Sequence, residues 1–186
     1  PEIILFDDDP GVRMSYPDFI EQDGRYFLSE TQKSVARIHE ISTDLLEGMW
    51  RQGEDTERVT SGLICDLDGK DCANGGTAEM PELPKLIDRE GFSLDFRVCL
   101  SELTPFQKLF DTRDEAGRGI LLMLNDRGQL QLTLAGHTCS PPAHARSTWR
   151  SGICECSWTT DYDVITAGKE HHVTFIVDGG PKLITV

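Results

Sequence analysis

Four side chains near the start of the chain have types that do chemistry: Arg13, Tyr16, Asp18 and Glu30. A phenol becomes a useful nucleophile when a neighbouring carboxylate takes its proton. A guanidinium grips a carboxylate through two parallel hydrogen bonds. Paired carboxylates do acid–base work on glycosidic bonds. Each residue also has a plain alternative. Tyr16 reads equally as a half-buried strand residue before Pro17, and Glu30 as a solvent-facing strand end. Asp18 reads as a turn cap, and Arg13 as a partner for the run Asp7-Asp8-Asp9.

Metal and redox chemistry have weaker footholds. The six cysteines are Cys65, Cys72, Cys99, Cys139, Cys154 and Cys156. An even count fits three disulfides in an oxidising compartment, and it fits buried free thiols as well. Cys65 and Cys72 flank the polar stretch Asp66–Asp71 and read as a pair closing that loop. No Cys-x-x-Cys occurs, and His171-His172 are adjacent, so on a strand they point opposite ways and do not favour zinc. Asp66–Asp71 has the acidity of a calcium loop. It fails the EF-hand pattern, because Gly69 is misplaced and no Glu closes the loop. No cofactor is therefore expected, with calcium the single metal that any segment resembles. Trp149 and Trp158 either stack on a sugar or plug a core.

The elements that must position these groups read as β. Phe19-Ile20-Glu21 and Tyr26-Phe27-Leu28 flank Gln22-Asp23-Gly24-Arg25, a strong hairpin signal. Ser34–Ile41 alternates with period two, with His39 on its polar face. Leu45, Leu46, Met49 and Trp50 recur at helical spacing, so a short helix is expected over 43–51, capped by Ser42 or Thr43. A second β pattern starts near Ser61. Phe92, Leu94, Phe96 and Val98 share one strand face. Gly119–Leu124 and Gln129–Leu134 flank Asn125–Gly128, and His171–Val177 and Lys182–Val186 flank Asp178–Pro181. Such spacing predicts an all-β sandwich. No Rossmann or phosphate-loop glycine pattern is present.

Length and charge bound the function. The 186 residues allow one domain or one and part of another, and they carry 32 acids and 18 bases, net −14. That charge opposes nucleic-acid binding and adsorption to anionic membranes. No apolar run approaches the roughly 20 residues that span a bilayer. Residues 1–50 hold 11 acids and 4 bases, net −7; residues 51–90 hold 10 and 5, net −5; residues 91–186 hold 11 and 9, net −2. The acidity thus lies in the first half. The chain starts at Pro1 and stops within an apparent strand at Leu183-Ile184-Thr185-Val186, which reads as a segment of a longer protein.

Two resemblances sharpen this. The run Gly91–Val98, the Gly119–Leu134 hairpin and His172–Gly180 are similar to a laminin-G or concanavalin A-like jelly roll. The segment Arg13-Met14-Ser15-Tyr16-Pro17-Asp18-Phe19-Ile20-Glu21, with Asp23–Glu30, resembles the last blade of sialidase-like β-propeller glycosidases. There a catalytic Tyr opens such a strand, and a Glu ending the return strand orients an active-site Arg. Tyr16 and Glu30 match those positions. The resemblance thus implies a catalytic Tyr16 and Glu30, with Arg13 and Asp18 binding substrate.

The order (blade, helix, jelly roll) is also that of the family. It implies a blade over 1–42, a connecting helix and linker over 43–60, and a jelly roll over 61–186, truncated at its closing strand. The implied protein is a secreted or surface glycoside hydrolase acting on terminal sugars of glycans, with a lectin-like accessory domain. Its partners would be a glycan and the remainder of the same polypeptide. Tyr16 is followed here by Pro17-Asp18, not by small hydroxyl residues, and Asp7–Asp9 would repel an anionic sugar. A neutral-sugar propeller glycosidase and a non-catalytic laminin-G-like binding module stay open as alternatives.

Overall fold

The structure is a computed structural model, which describes residues 3–5, 15–31, 36–51, 54, 60–72, 75–139, 152–180 and 182–186. Its strands form three antiparallel sheets, two of four strands and one of three. Expectation and structure agree on an all-β chain with a sandwich.

The three-stranded sheet is β2 (Ser15–Gln22), β3 (Arg25–Thr31) and β4 (Ala36–Ile41). The turn between β2 and β3 puts Asp23 at φ 52° and Gly24 at φ 74°. Two positive φ values in a row make a tight turn whose twist matches the strands, and Asp-Gly tolerates them. Glu21 Oε1 accepts the Gly24 N–H at 2.8 Å and closes it.

Helix α1 (Thr43–Trp50) follows. Ser42 sits at its N-cap, yet the cap side chain makes no hydrogen bond. What holds the helix is its apolar face. Leu46 is buried with Ile41 and Leu183, and Tyr26, Leu28, Leu45 and Met49 pack around them. The Tyr26 ring stacks on Phe19 and meets Trp50 edge-on, with centroids at 5.7 and 6.1 Å.

The sandwich has two layers. One sheet runs β1 (Ile3–Leu5), β11 (Leu183–Thr185), β10 (Glu170–Asp178), β5 (Gly91–Cys99). The other runs β6 (Lys108–Asp111), β7 (Gly119–Leu124), β8 (Leu130–Cys139), β9 (Gly152–Thr159). Alternation sends Leu122, Leu124, Leu130, Leu132, Phe175, Val177 and Ile184 into one core between them. Trp158 lies on β9 and meets Phe175 edge-on at 5.7 Å, so it plugs this core.

The strand at the chain's end is not left bare. β11 pairs with β10 on one side and with β1 on the other. The cysteine loop also differs from expectation. Cys65 and Cys72 are free thiols. The residues between them form their own turn instead, with Asp68 Oδ1 accepting the Lys70 N–H at 2.9 Å, and continue as the four-residue helix α2 (Gly69–Cys72).

Candidate functional site

The pairing of β2 with β3 contains a break in register. Ser15 pairs with Thr31 and Asp18 with Ser29, so Tyr16 and Pro17 together stand opposite the single residue Glu30. This is a β-bulge, a device that re-aims side chains and recurs beside active sites. Pro17 suits a bulge because it has no N–H to offer the ladder. Tyr16 takes a φ of 54°. A bulky residue in that region is strained, and such strain concentrates at functional sites. The Tyr16 side chain is 85% exposed, so packing does not require it there.

Glu30 is the opposite case. It is 1% exposed, the most buried charged residue among those described. Its Oε1 lies 3.4 Å from His39 Nε2 and 3.5 Å from Arg37 Nη1. Its Oε2 is buried without a hydrogen-bond partner. Burying a carboxylate oxygen unpaired is costly, so such an atom marks a place where a donor belongs.

Arg37 stands directly across from Glu30, and His39 across from Leu28. Both were missed in the sequence, and His39 was assigned to the polar face of its strand. The face is reversed. Arg37, His39 and Ile41 point inward, while Ile38 is 71% exposed. The buried Ile41 and a carboxylate able to pair with Arg37 and His39 favour this reversal, since buried charge is tolerated only with a partner.

The other expected site residues fall elsewhere. Asp18 pairs with Ser29, one residue along β3 from Glu30 and hence on the other face of the sheet. It does not join Glu30. Arg13 and Asp7–Asp9 lie outside the described residues, as does Trp149. Among the described residues, no three His, Cys, Asp or Glu side chains converge as a metal site. His172 is committed to Asp95, with Nε2 to Oδ2 at 2.8 Å, and His171 Nε2 to the Thr166 loop at 3.1 Å. A cleft of about 230 Å³ lies between the helix and the sandwich, lined by Glu40, Ser42, Leu45, Ile176, Leu183 and Thr185 among others. None of the expected site residues lines it.

The side-chain cluster is therefore Glu30, Arg37 and His39, and the bulge sets the exposed Tyr16 across from Glu30 in the backbone register. The arrangement offers an exposed phenol opposite, in that register, a buried carboxylate that Arg37 and His39 approach at 3.5 and 3.4 Å. No protein-family model, curated protein or solved structure matches the chain.

Proposed function

We propose that this chain is part of a sialidase-like glycoside hydrolase that releases terminal sugars from glycans. In this reading the three-stranded sheet is a propeller blade and the sandwich a lectin-like accessory domain of jelly-roll type. The observation that carries it is the bulge, which opposes an exposed, left-handed Tyr16 to a buried Glu30 with one free oxygen. Tyr16 Oη attacks the anomeric carbon as the glycosidic bond to the leaving oxygen breaks. Its phenolic proton passes to a carboxylate and the leaving oxygen takes a proton from a general acid, both from the remainder of the polypeptide. Water then hydrolyses the glycosyl–tyrosine, releasing the sugar and restoring the Tyr16 phenol. Glu30 acts as a positioning residue. Arg37 and His39 fix Oε1, and Oε2 accepts a donor from a guanidinium of the active site. Arg13 is the substrate-binding residue of the same reading, and Asp18, on the other face of the sheet from Glu30, is left out of it.

The test uses the full-length natural protein with fluorogenic glycosides, one arm of sialic acid and one of neutral hexoses. Tyr16→Phe abolishes turnover while leaving binding of a transition-state analogue largely intact. Normal turnover by that variant removes Tyr16 from the mechanism. Failure of the wild type to hydrolyse either arm overturns the enzyme reading in favour of a binding module.

A further inference from the structure

The sandwich carries a second constellation, at one end of the sheet formed by β6 to β9. Backbone hydrogen bonds run Leu124 N to Gln107 O and Thr160 N to Leu130 O, both at 2.9 Å, and Leu124 pairs with Leu130. Gln107, Leu124, Leu130 and Thr160 therefore form one row across four strands. Three loops emerge beyond that row: 101–107, the β7–β8 turn 125–128, and 160–168.

The first loop contains an anomaly. The Gln107 N–H bonds Thr104 O at 3.2 Å, with Pro105 second and Phe106 third in the turn, and Phe106 has a φ of 63°. This is the pattern of a type II turn, whose third position favours glycine. The sequence instead places a phenylalanine there, and its ring is 63% exposed. A strained aromatic that buries little contributes neither turn propensity nor packing. The adjoining Gln107 Oε1 has no hydrogen-bond partner.

The third loop also exposes an aromatic, beside a positive-φ residue. Tyr162 is 59% exposed, and the next residue, Asp163, has a φ of 62°. The middle turn ties the two together. Asn125 Oδ1 accepts the N–H groups of Arg127 and Gln129 at 2.8 and 3.0 Å. Arg127 Nη1 donates to Tyr162 Oη at 2.8 Å, and Gln129 Nε2 donates to Thr160 O at 2.6 Å. Leu103 of the first loop lies against Gly128, its Cδ1 3.5 Å from where a Cβ would stand. The three loops thus meet at one end of the sheet, with the Tyr162 hydroxyl held by Arg127.

We infer that Phe106 and Tyr162 form a binding platform for a neutral oligosaccharide. The strand spacing sets Gln107 and Thr160 roughly 14 Å apart, three strand separations, which suits more than one sugar ring. Aromatic faces stack on the apolar C–H faces of pyranose rings. Asp126, Asp161 and Asp163 supply acceptors for hydroxyl groups, and Arg127 supplies a donor. Three carboxylates against one guanidinium disfavour an anionic sugar, a phosphate and an anionic membrane alike. The platform rests on the reading above only for the lectin-like role of the sandwich, and it requires nothing of Tyr16.

The experiment measures binding of neutral galacto-, manno- and gluco-oligosaccharides to the 186-residue chain by calorimetry, with Phe106→Gly and Tyr162→Ala as variants. Phe106→Gly removes the ring and relieves the turn. Its melting temperature should stay level or rise while affinity for the bound oligosaccharide falls by roughly ten-fold or more. Tyr162→Ala should lose affinity to a similar degree. Unchanged affinity in Phe106→Gly overturns the platform, as does absence of binding to every neutral probe. Adsorption to phosphatidylcholine vesicles that disappears in Phe106→Gly overturns it in favour of a lipid surface. Turnover by Tyr16→Phe reports on the enzyme reading and leaves this result untouched.

Discussion

At Tyr16 the chain holds a conformation that costs an L residue roughly 1–2 kcal/mol. The side chain gives nothing back through burial, because it stands in solvent. Tyr16→Gly should therefore stabilise the protein by up to about 1 kcal/mol once the added backbone entropy of glycine is deducted. For a chain of this size that is a rise in melting temperature of about 2–4 °C. The same variant should be inactive under the glycosidase reading, which would be a local exchange of stability for function. A fall in melting temperature would show that the ring makes contacts that matter. The sequence shows Tyr16 and Pro17 but not the bulge and the left-handed backbone that they adopt. Nor does it show the partners of Glu30. Arg37 and His39 alternate with Ile38, and on a half-buried strand the apolar residue normally takes the core side. The buried Ile41, which shares the face of Arg37 and His39, and the buried carboxylate of the neighbouring strand favour the inversion, and sequence periodicity carries no information about a neighbouring strand's charge.

Individual elements differed in how openly the sequence announced them. β5, β7, β8 and β10 each show either strict alternation or a continuous apolar run, and the helix shows its 3.6-residue period. β9 does not. Ile153-Cys154-Glu155-Cys156-Ser157-Trp158 has few strongly apolar residues, and Cys156 and Trp158 pack against the core, Trp158 edge-on to Phe175. β6 is short, and its connection to β7 combines the Asp114–Gly117 turn, with Gly117 at φ 82°, with charge pairing. Asp111 Oδ1 and Oδ2 each accept a hydrogen bond from Arg113 at 2.8 Å, and Lys108 Nζ adds a third at 2.8 Å. The Arg113 guanidinium, opposed in part by burial, holds the Asp111 carboxyl below the usual carboxylate range. A depressed folded-state value stabilises the fold above the unfolded value, near pH 3.9, and that stability is lost as pH falls further. The Asp111 side chain is 23% exposed, so solvent screening reduces the effect. Asp111→Asn should cost about 1–2 kcal/mol in urea unfolding at pH 7. The difference from wild type should shrink steadily below about pH 4. A deficit that persists unchanged at pH 2 would show that the loss is geometric and not electrostatic.

At the scale of the whole molecule, the short strand β11 decides how the parts cohere. Its alternation divides it between two cores. Ile184 enters the sandwich core with Phe175 and Leu124, while Leu183 turns to the other side and packs with Ile41 and Leu46 beneath α1. Its placement between β1 and β10 joins the chain's first strand to its last, a pairing that no local pattern could announce. The smaller core has three buried members among the described residues, so one truncation there removes a large share of it. Leu183→Ala should cost about 2–4 kcal/mol, comparable with Leu124→Ala at the centre of the sandwich. The consequences should differ in kind. Leu124→Ala weakens the larger core and should raise amide exchange throughout β5 to β10. Leu183→Ala loosens the support of β3, β4 and α1, so exchange should rise there first while β7 and β8 stay protected. Double-mutant cycles provide the decisive measurement. Leu183→Ala should couple to Leu46→Ala by at least about 0.5 kcal/mol and add to Leu124→Ala within about 0.3–0.5 kcal/mol. The reverse pattern would mean that β11 belongs energetically to the sandwich alone. Glu30 and Tyr16 would then be carried by a sheet that the rest of the molecule does not hold in place.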